Sequence, residues 1–369
     1  MPMQSLPKSK FLASLHLWYD ENKRDLPWRH QKDPYIIWVS EIILQQTTVA
    51  QGWDYFIRFT ERFPTVEALA EAPEQDILKM WQGLGYYSRA RNMHHAAKTI
   101  INTLQGQFPD SYPELIKLKG IGPYTAAAIA SFAFNKPHPV VDGNVMRVVA
   151  RIFGIEIPIN TSDGTKEINK NIYSLFDPTR PADFNQAIME FGALHCKVHN
   201  PLCHNCFAAT YCAAYNTKTT HLLPVKNSKA SVKNRYFFYL VFLINKKGQW
   251  HTFIKKRENK DIWHKLYDFI LIETTKDYTP DNFLKTTLFK SFLSTYSLDF
   301  KNIRIHKNTS RVVLKLTHQT INATFITLTI PHISLTESYI PIPIDKINTY
   351  PLPKVIENFI NQNILGIEL

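Results

Sequence analysis

The chain has 369 residues, 44% of them hydrophobic, which is enough for more than one ordinary core. No apolar run reaches membrane-spanning length and no apolar signal segment opens the chain, so the expected compartment is a cytoplasm of bacterial type. The net charge of +12 is unevenly placed: residues 1–216 carry 21 Lys/Arg against 20 Asp/Glu, and residues 217–369 carry 22 against 11. A basic excess of this size points to a polyanion, nucleic acid above all, with the second half supplying most of the long-range attraction.

Up to about residue 214 the pattern is helical, with Gly and Pro as punctuation. "DPYIIWVSEIILQQTTVA" opens with Asp33 as an N-cap and Pro34 at the first helical position. Within it Glu41 stands among Val39, Ile42, Ile43 and Leu44, on a helix apolar nearly all round. A glutamate on a narrow polar stripe is the plain reading. The alternative is a buried carboxyl whose pKa rises because burial disfavours its charge, which is what a general acid at neutral pH needs. "YSRARNMHHAAKTIINTLQG" runs to a stop at Gly106.

"LKGIGPYTAAAIA" (118–130) places Gly120 and Gly122 on either side of Ile121, at a tight turn between helices. Backbone without Cβ atoms can approach a partner closely, and the N–H groups opening the next helix can hold a phosphate. This helix–hairpin–helix pattern grips a DNA backbone without reading its sequence. In "VVDGNVMRV", Asp142 opens a helix, where it can serve as an N-cap and also as a functional carboxylate.

All four cysteines lie between residues 196 and 212, spaced C-x6-C-x2-C-x5-C: Cys196, Cys203, Cys206 and Cys212. A disulfide framework would spread its thiols through a small secreted domain. A structural zinc site usually has two short Cys-x2-4-Cys knuckles, and only one such pair exists here. Four thiolates on one compact loop suit a [4Fe–4S] cluster better than zinc. The nearby His195, His199 and His204 read as surface or packing residues.

Residues 215–234 are polar and basic and read as a linker. The texture then changes. "YFFYLVFLI", "QWHTFIKK", "IRIH", "RVVLKLT" and "INATFITLTI" predict strands, and "TPDNFLKTTLFKSFLSTY" and "LPKVIENFINQNIL" predict helices. The expected organisation is an all-α domain over 1–214, a linker over 215–234, and an α+β domain with a mainly antiparallel sheet over 235–369.

Glu41 with Gln45-Gln46-Thr47, "LPWR" (26–29), "GLGYYSRARN", "LKGIGPYTAAA", "DGNVMRV", "FNQAIMEFGALHC" and the cysteine loop occur in one order. Together they resemble the MutY family, the adenine-specific mismatch DNA glycosylases of the endonuclease-III-like superfamily. The resemblance is strong over 1–214 and weak over 235–369. It implies a helix–hairpin–helix domain with a [4Fe–4S] loop, then a Nudix-like domain that recognises 8-oxoguanine opposite adenine. It also implies base flipping and N-glycosidic hydrolysis in base excision repair, by a mainly monofunctional enzyme. By the same resemblance, Glu41 protonates the flipped adenine and then handles water, Asp142 stabilises the cationic sugar, and Tyr124 supports the sugar. Gln46 and Tyr86 intrude into the base stack, and Trp28, Arg29, Gln186 and Glu190 line the adenine pocket. The implied partner is double-stranded DNA with 8-oxoguanine:adenine or guanine:adenine mispairs, bound by a monomer at the nucleoid.

The recognition hairpin of the family usually carries an aromatic, a small hydroxyl residue and a histidine. Its counterpart here is Leu316-Thr317-His318, with leucine in the aromatic place. "DIWHKLYDFI" lacks the glycine usual in the corresponding family segment, and no Nudix box is present, so pyrophosphatase chemistry is not expected. The alternative is an endonuclease-III-like glycosylase and lyase for oxidised pyrimidines. It would need a hairpin lysine where this chain has Tyr124.

Overall fold

The structure, a computed structural model, describes residues 7–45, 47–227, 232–306, 310–333, 335–336 and 338–364. It divides into two compact units, residues 1–71 with 92–228 and residues 72–91 with 229–369. The first is helical, as expected, and the second is α+β and Nudix-like. Among the described residues no helix is long and apolar enough to cross a membrane.

Caps fix the helices of the first unit. Asp33 Oδ1 accepts from Tyr35 N at 2.8 Å and Pro34 occupies the first turn of the helix Pro34–Ile43. The helix Gly143–Phe153 begins at Asp142 and stops at Gly154, whose φ is +67°. Its apolar face, Val145, Val148, Val149 and Ile152, packs against Phe11, Leu15 and Tyr19 of the helix Lys8–Asn22 and against Phe184, Ile188 and Phe191 of Pro181–Leu194. The 3–4 spacing of those residues makes one continuous stripe, so three helices share a single core.

The second unit is built on one long strand. Strand β1 (Lys233–Lys246) pairs antiparallel with β2 (Gln249–Lys256) through its last residues and with β4 (Ile270–Thr274) through its first half. Its other edge runs parallel to β7 (Gln319–Thr329) over eleven residue pairs. Strands β3 (Tyr267–Asp268), β5 (Arg304–Ile305), β6 (Ser310–Lys315) and β8 (Tyr339–Pro343) complete the sheet by antiparallel pairing.

Residues of β1 alternate between two cores. Phe237, Tyr239, Val241 and Leu243 face the helix Lys354–Asn363, while Phe238, Leu240, Phe242 and Ile244 face Thr287–Thr295. A strand covered on both faces needs an unbroken apolar run, and "YFFYLVFLI" is one.

Three differences from the sequence reading stand out. The sheet is mainly antiparallel, but its central pair β1–β7 is parallel. Strands β3, β4 and β8 were not expected; in β8, Pro341 and Pro343 obscured a strand that pairs on one side only, with β2. The expected linker is also shorter than the sequence suggests. Leu223 is buried with Cys212 and Ala214, and Val225 O accepts from Ile159 N at 3.0 Å, so residues 215–227 pack on the first unit.

Candidate active site

One cavity of the first unit, about 210 Å³, gathers seven of the residues singled out above: Glu41, Tyr124, Asp142, Trp28, Arg29, Gln186 and Glu190 all line it. Five separate pieces of chain deliver them, the short 3-10 turn Pro27–His30 bringing Trp28 and Arg29. The helix Pro34–Ile43, with Tyr35 and every residue from Ile37 to Ile43 buried, brings Glu41. The helix Pro123–Phe132 brings Tyr124, the start of Gly143–Phe153 brings Asp142, and Pro181–Leu194 brings Gln186 and Glu190.

Glu41 is 8% exposed, and the Tyr124 hydroxyl donates to its Oε2 at 2.5 Å. Burial pushes its pKa up to about 7. The Tyr124 hydrogen bond opposes the rise, the Asp142 charge adds to it, and Arg29 opposes it. Burial also raises Asp142, but there the Val145 and Asn144 donors work against it. Val145 N gives 2.7 Å to Oδ1 and Asn144 Nδ2 gives 2.7 Å to Oδ2. So Asp142 is an N-cap, as expected, and it also lines the cavity. Donors on both oxygens favour its charged form, whereas Glu41 sits in the more apolar place.

The wall opposite is ionic. Glu190 is 1% exposed and accepts from Arg24 Nε and Nη2 at 2.8 Å each and from Arg29 Nη2 at 2.6 Å. Burial raises its pKa, but the hydrogen bonds from Arg24 and Arg29 outweigh this and push it down to about 2. Gln186 Oε1 accepts from the Tyr19 hydroxyl at 2.7 Å, which fixes the amide's orientation. Trp28 is 8% exposed and packs edge-on against Trp53 and Phe56. Arg24 escaped the sequence reading: Asp20, Glu21 and Asp25 stand close to it in sequence, and nothing local points to Glu190 as its partner.

The hairpin is formed as expected. Gly120 has φ +84°, and a Cβ there would stand 2.6 Å from Asn92 Cβ, so only glycine fits. Gly122, the N-cap of Pro123–Phe132, faces open space where a ligand backbone can approach. Gln46 lies outside the described residues. Its neighbour Gln45 donates to Thr125 Oγ1 at 3.2 Å.

The four cysteines line a second cavity of the first unit. Arg151, 2% exposed, donates to Cys196 Sγ at 3.4 Å, Lys197 O at 2.7 Å and Leu223 O at 3.0 Å. Arg147 donates to Cys196 O at 2.8 Å and Gly192 O at 2.6 Å. Arg147 also donates to Asn144 Oδ1 at 2.9 Å, so a hydrogen-bonded chain runs from Asp142 through Asn144 and Arg147 to the cysteine loop. Two arginines four residues apart on the helix "GNVMRVVARIF" were the signal for this. Burial pushes the Cys206 thiol up to about 12 and the Cys212 thiol up to about 11, against nearby backbone N–H groups. Among the described residues no three His, Cys, Asp or Glu side chains are placed to share one metal ion.

Tyr86, Thr317 and His318 belong to the second unit. Thr317 and His318 sit in the turn between β6 and β7, closed by Leu316 N to Gln319 O at 2.8 Å. Tyr86, 46% exposed with φ +45°, places its hydroxyl 2.9 Å from Thr317 Oγ1. Leu316, in the family's aromatic place, packs against the core of this unit instead of standing out as a wedge.

A model of the HhH-GPD superfamily of base excision DNA repair proteins matches residues 39–175. An adenine DNA glycosylase of Buchnera aphidicola subsp. Baizongia pistaciae is 40% identical over 262 residues, 70% of this chain and 73% of the relative. The adenine DNA glycosylase of Homo sapiens is 41% identical over 213 residues, 55% of this chain and 39% of the relative. A thermostable thymine-DNA glycosylase structure superposes with a TM-score of 0.53 at 29% identity, covering 57% of this chain and 97% of that one. A trapped endonuclease III–DNA covalent intermediate shares the fold, with a TM-score of 0.50 at 23% identity, covering 58% of this chain and 99% of that one. Fold and pocket therefore define a helix–hairpin–helix DNA glycosylase of base excision repair. Within that class the chain belongs to the adenine DNA glycosylase family, whose reaction is hydrolysis of an N-glycosyl bond to adenine in DNA.

The Glu41 environment has a measurable consequence for stability. Its folded pKa of about 7 lies above its ordinary 4.5, so the folded protein holds a proton that the unfolded chain releases across that window. The stability this confers is complete below pH 4.5 and is lost as pH rises through 7. Glu41→Gln, which mimics the neutral carboxyl, is expected to exceed the wild type in stability above pH 7 by up to about 3 kcal/mol, and to match it below pH 4.5. Urea unfolding at both ends of that range checks it.

Proposed function

We propose that the enzyme excises adenine mispaired with 8-oxoguanine or guanine, using Glu41 as proton donor and Asp142 as the charge partner of the sugar. The observation that carries this reading is the pair itself. In one cavity stand Glu41, buried and with a pKa of about 7, and the half-buried Asp142, fixed by donors on both oxygens. Cleavage of an N-glycosidic bond through an oxocarbenium-like state wants one neutral and one charged carboxyl.

Adenine leaves the duplex for the pocket, at a cost of a few kcal/mol that is smaller at a mismatch. The C1′–N bond breaks, its electron pair leaves with adenine, and Glu41 gives its proton to the departing base. The Asp142 carboxylate stabilises the cationic sugar. Water then adds at C1′ and loses a proton to Glu41, which restores the starting state and leaves an abasic site. Tyr124 holds Glu41 by its hydroxyl, and a phenol at this position supplies no amine for a Schiff base, which supports hydrolysis without strand nicking. Trp28, Arg29, Gln186 and Glu190 form the adenine walls, and Gln46 enters the stack. Gly120 and Gly122 grip the backbone.

Single-turnover excision should fall about tenfold per pH unit above pH 7, as Glu41 loses its proton. Glu41→Gln should remove excision while retaining mismatch binding. Tyr124→Phe takes away a bond that favours the charged carboxylate, so the alkaline limb should move to higher pH. Retention of wild-type single-turnover excision by Glu41→Gln refutes the assignment.

Cys196, Cys203, Cys206 and Cys212 are suited to a [4Fe–4S] cluster. They line one cavity on one compact loop, and Arg151 stands ready to offset thiolate charge. Bound there, the cluster supplies a rigid cross-link and electron-transfer capacity. The hydrolysis itself rests on the pocket carboxyls, and the loop offers exposed Lys197 to a phosphate. Purified protein should carry about four iron atoms per chain. Cys203→Ser should lower iron content, soluble yield and DNA binding together. Stoichiometric zinc without iron overturns the reading.

The base opposite adenine is read by the second unit, at a cavity of about 480 Å³ where Tyr86 and Thr317 meet, with His318 beside them. Phosphate contacts weaken with salt whatever the base, whereas contacts to the 8-oxo edge act only when it is present. The double change Thr317→Ala, His318→Ala should cost about 1–3 kcal/mol of binding to 8-oxoguanine:adenine duplexes and much less to guanine:adenine. Titration of both duplexes at several salt concentrations, with Glu41→Gln present to prevent turnover, makes the test. Equal losses on both duplexes refute it. Pocket and reading hairpin reside on one chain, which suits a monomer working on chromosomal DNA at the nucleoid.

A further inference from the structure

The turn that carries Tyr86 is conformationally exposed to change. Gly83, Gly85 and Tyr86 all have positive φ, at +100°, +69° and +45°. Such a turn presents a side chain accurately only if both of its ends are fixed. Within the second unit they are. Just before the turn, Gln82 is 8% exposed and its Oε1 accepts from Leu352 N at 3.0 Å and from Lys79 Nζ at 3.1 Å. Just after it, Arg91 Nη1 donates to His264 O at 2.9 Å.

His264 lies in a loop that is itself held. Its neighbour Lys265 reaches Glu74 Oε1 at 2.8 Å and Oε2 at 2.6 Å. Trp263 and Lys265, on either side of His264, also have positive φ, at +59° and +69°, so this loop too depends on its anchors. The turn is laced internally as well: Trp81 Nε1 donates to Gly85 O at 3.1 Å, and Arg89 Nη2 donates to Leu84 O and Gly85 O at 3.3 Å each.

We propose that Gln82 and the Glu74–Lys265 pair are positioning residues that set the spacing of Tyr86 against Thr317, and so set the preference for the base opposite adenine without contacting it. The proposal rests on the reading of Tyr86 and Thr317 as the site that senses that base. A pair of hydroxyls held in fixed register presents one hydrogen-bonding pattern, which suits one base edge and not another. A loosely held pair still closes on DNA but discriminates less.

The experiment compares wild type, Glu74→Lys, Lys265→Glu, the double reversal Glu74→Lys with Lys265→Glu, and Gln82→Leu. Each is assayed for single-turnover adenine excision on 8-oxoguanine:adenine and guanine:adenine duplexes, with thermal midpoints measured alongside. Glu74 and Lys265 side chains are about 30% exposed, so the reversals test positioning even if Gln82→Leu fails to fold. Each single reversal should cut the rate ratio between the duplexes roughly three- to tenfold with the guanine:adenine rate unchanged. The double reversal should restore the ratio, which a general loss of stability would not do. Unchanged ratios in both single reversals overturn the proposal, as does a proportional fall on both duplexes or failure of the double reversal to rescue. If the wild type shows no preference between the duplexes, the reading of the site fails first, and the positioning role falls with it.

Discussion

Burying one carboxyl group shapes the first unit more than any other requirement. Glu41 is on a helix with scarcely a polar face, and removing a charged carboxylate from water to such a place is costly. The fold meets that cost by leaving the group neutral, with Tyr124 as its hydrogen-bond partner and a second carboxylate in the same cavity that raises its pKa further. The neutral state that minimises the penalty is also the state a proton donor requires. Everything that keeps the helix Pro34–Ile43 apolar therefore also tunes the acid, including the Asp33 cap and Pro34 that start it.

Glu190 shows the opposite solution to the same problem. It is buried more completely than Glu41, yet Arg24 and Arg29 keep it ionised. Two glutamates lining one cavity thus have pKa values pushed apart, because two arginines bind Glu190 directly while burial dominates at Glu41. A buried ion pair of this kind adds little net stability, since desolvation offsets much of the attraction. Its value lies in direction: guanidinium groups bound to Glu190 are held at fixed places on the pocket wall. The arginines of Gly143–Phe153 do the same for the cysteine loop, where Arg147 and Arg151 occupy backbone carbonyls that no helix or sheet would satisfy.

The sequence made the helical unit legible because its chemistry is concentrated in short runs. Gly-Ile-Gly, Asp-Gly-Asn and the four cysteines each constrain backbone or ligand chemistry locally, so their meaning survives without coordinates. Glu41 was legible for a different reason, as a carboxylate in an apolar helix. Features made by distant partners were not: Arg24 on Glu190 spans 166 positions, and the Tyr86 turn on Thr317 spans 231. The grouping of residues 72–91 with the second unit could not be read from a helical pattern that runs on past them. Strand β8 was hidden by Pro341 and Pro343, which signal a break anywhere except on a strand with a free edge. The packed part of the supposed linker was hidden by its polarity, since only Leu223 and its neighbours carry the contact.

The division between affinity and selectivity follows from where charge is placed. Residues 217–369 carry most of the net positive charge, but the turn that meets Tyr86 presents a hydroxyl and an imidazole rather than a cation at its tip. Charge acts over a Debye length of roughly 10 Å and is indifferent to base identity. Short hydrogen bonds act only at contact and fail completely when the geometry is wrong by an ångström. An enzyme that must scan long DNA and stop at one rare pair needs the first to be broad and the second to be narrow. The same separation holds in the pocket, where ionic Arg24, Arg29 and Glu190 shape one wall and Glu41, its pKa pushed up to about 7 by burial, is bonded to Tyr124 instead. Charge fixes the wall of the cavity, and its least polar part holds the Glu41–Tyr124 pair.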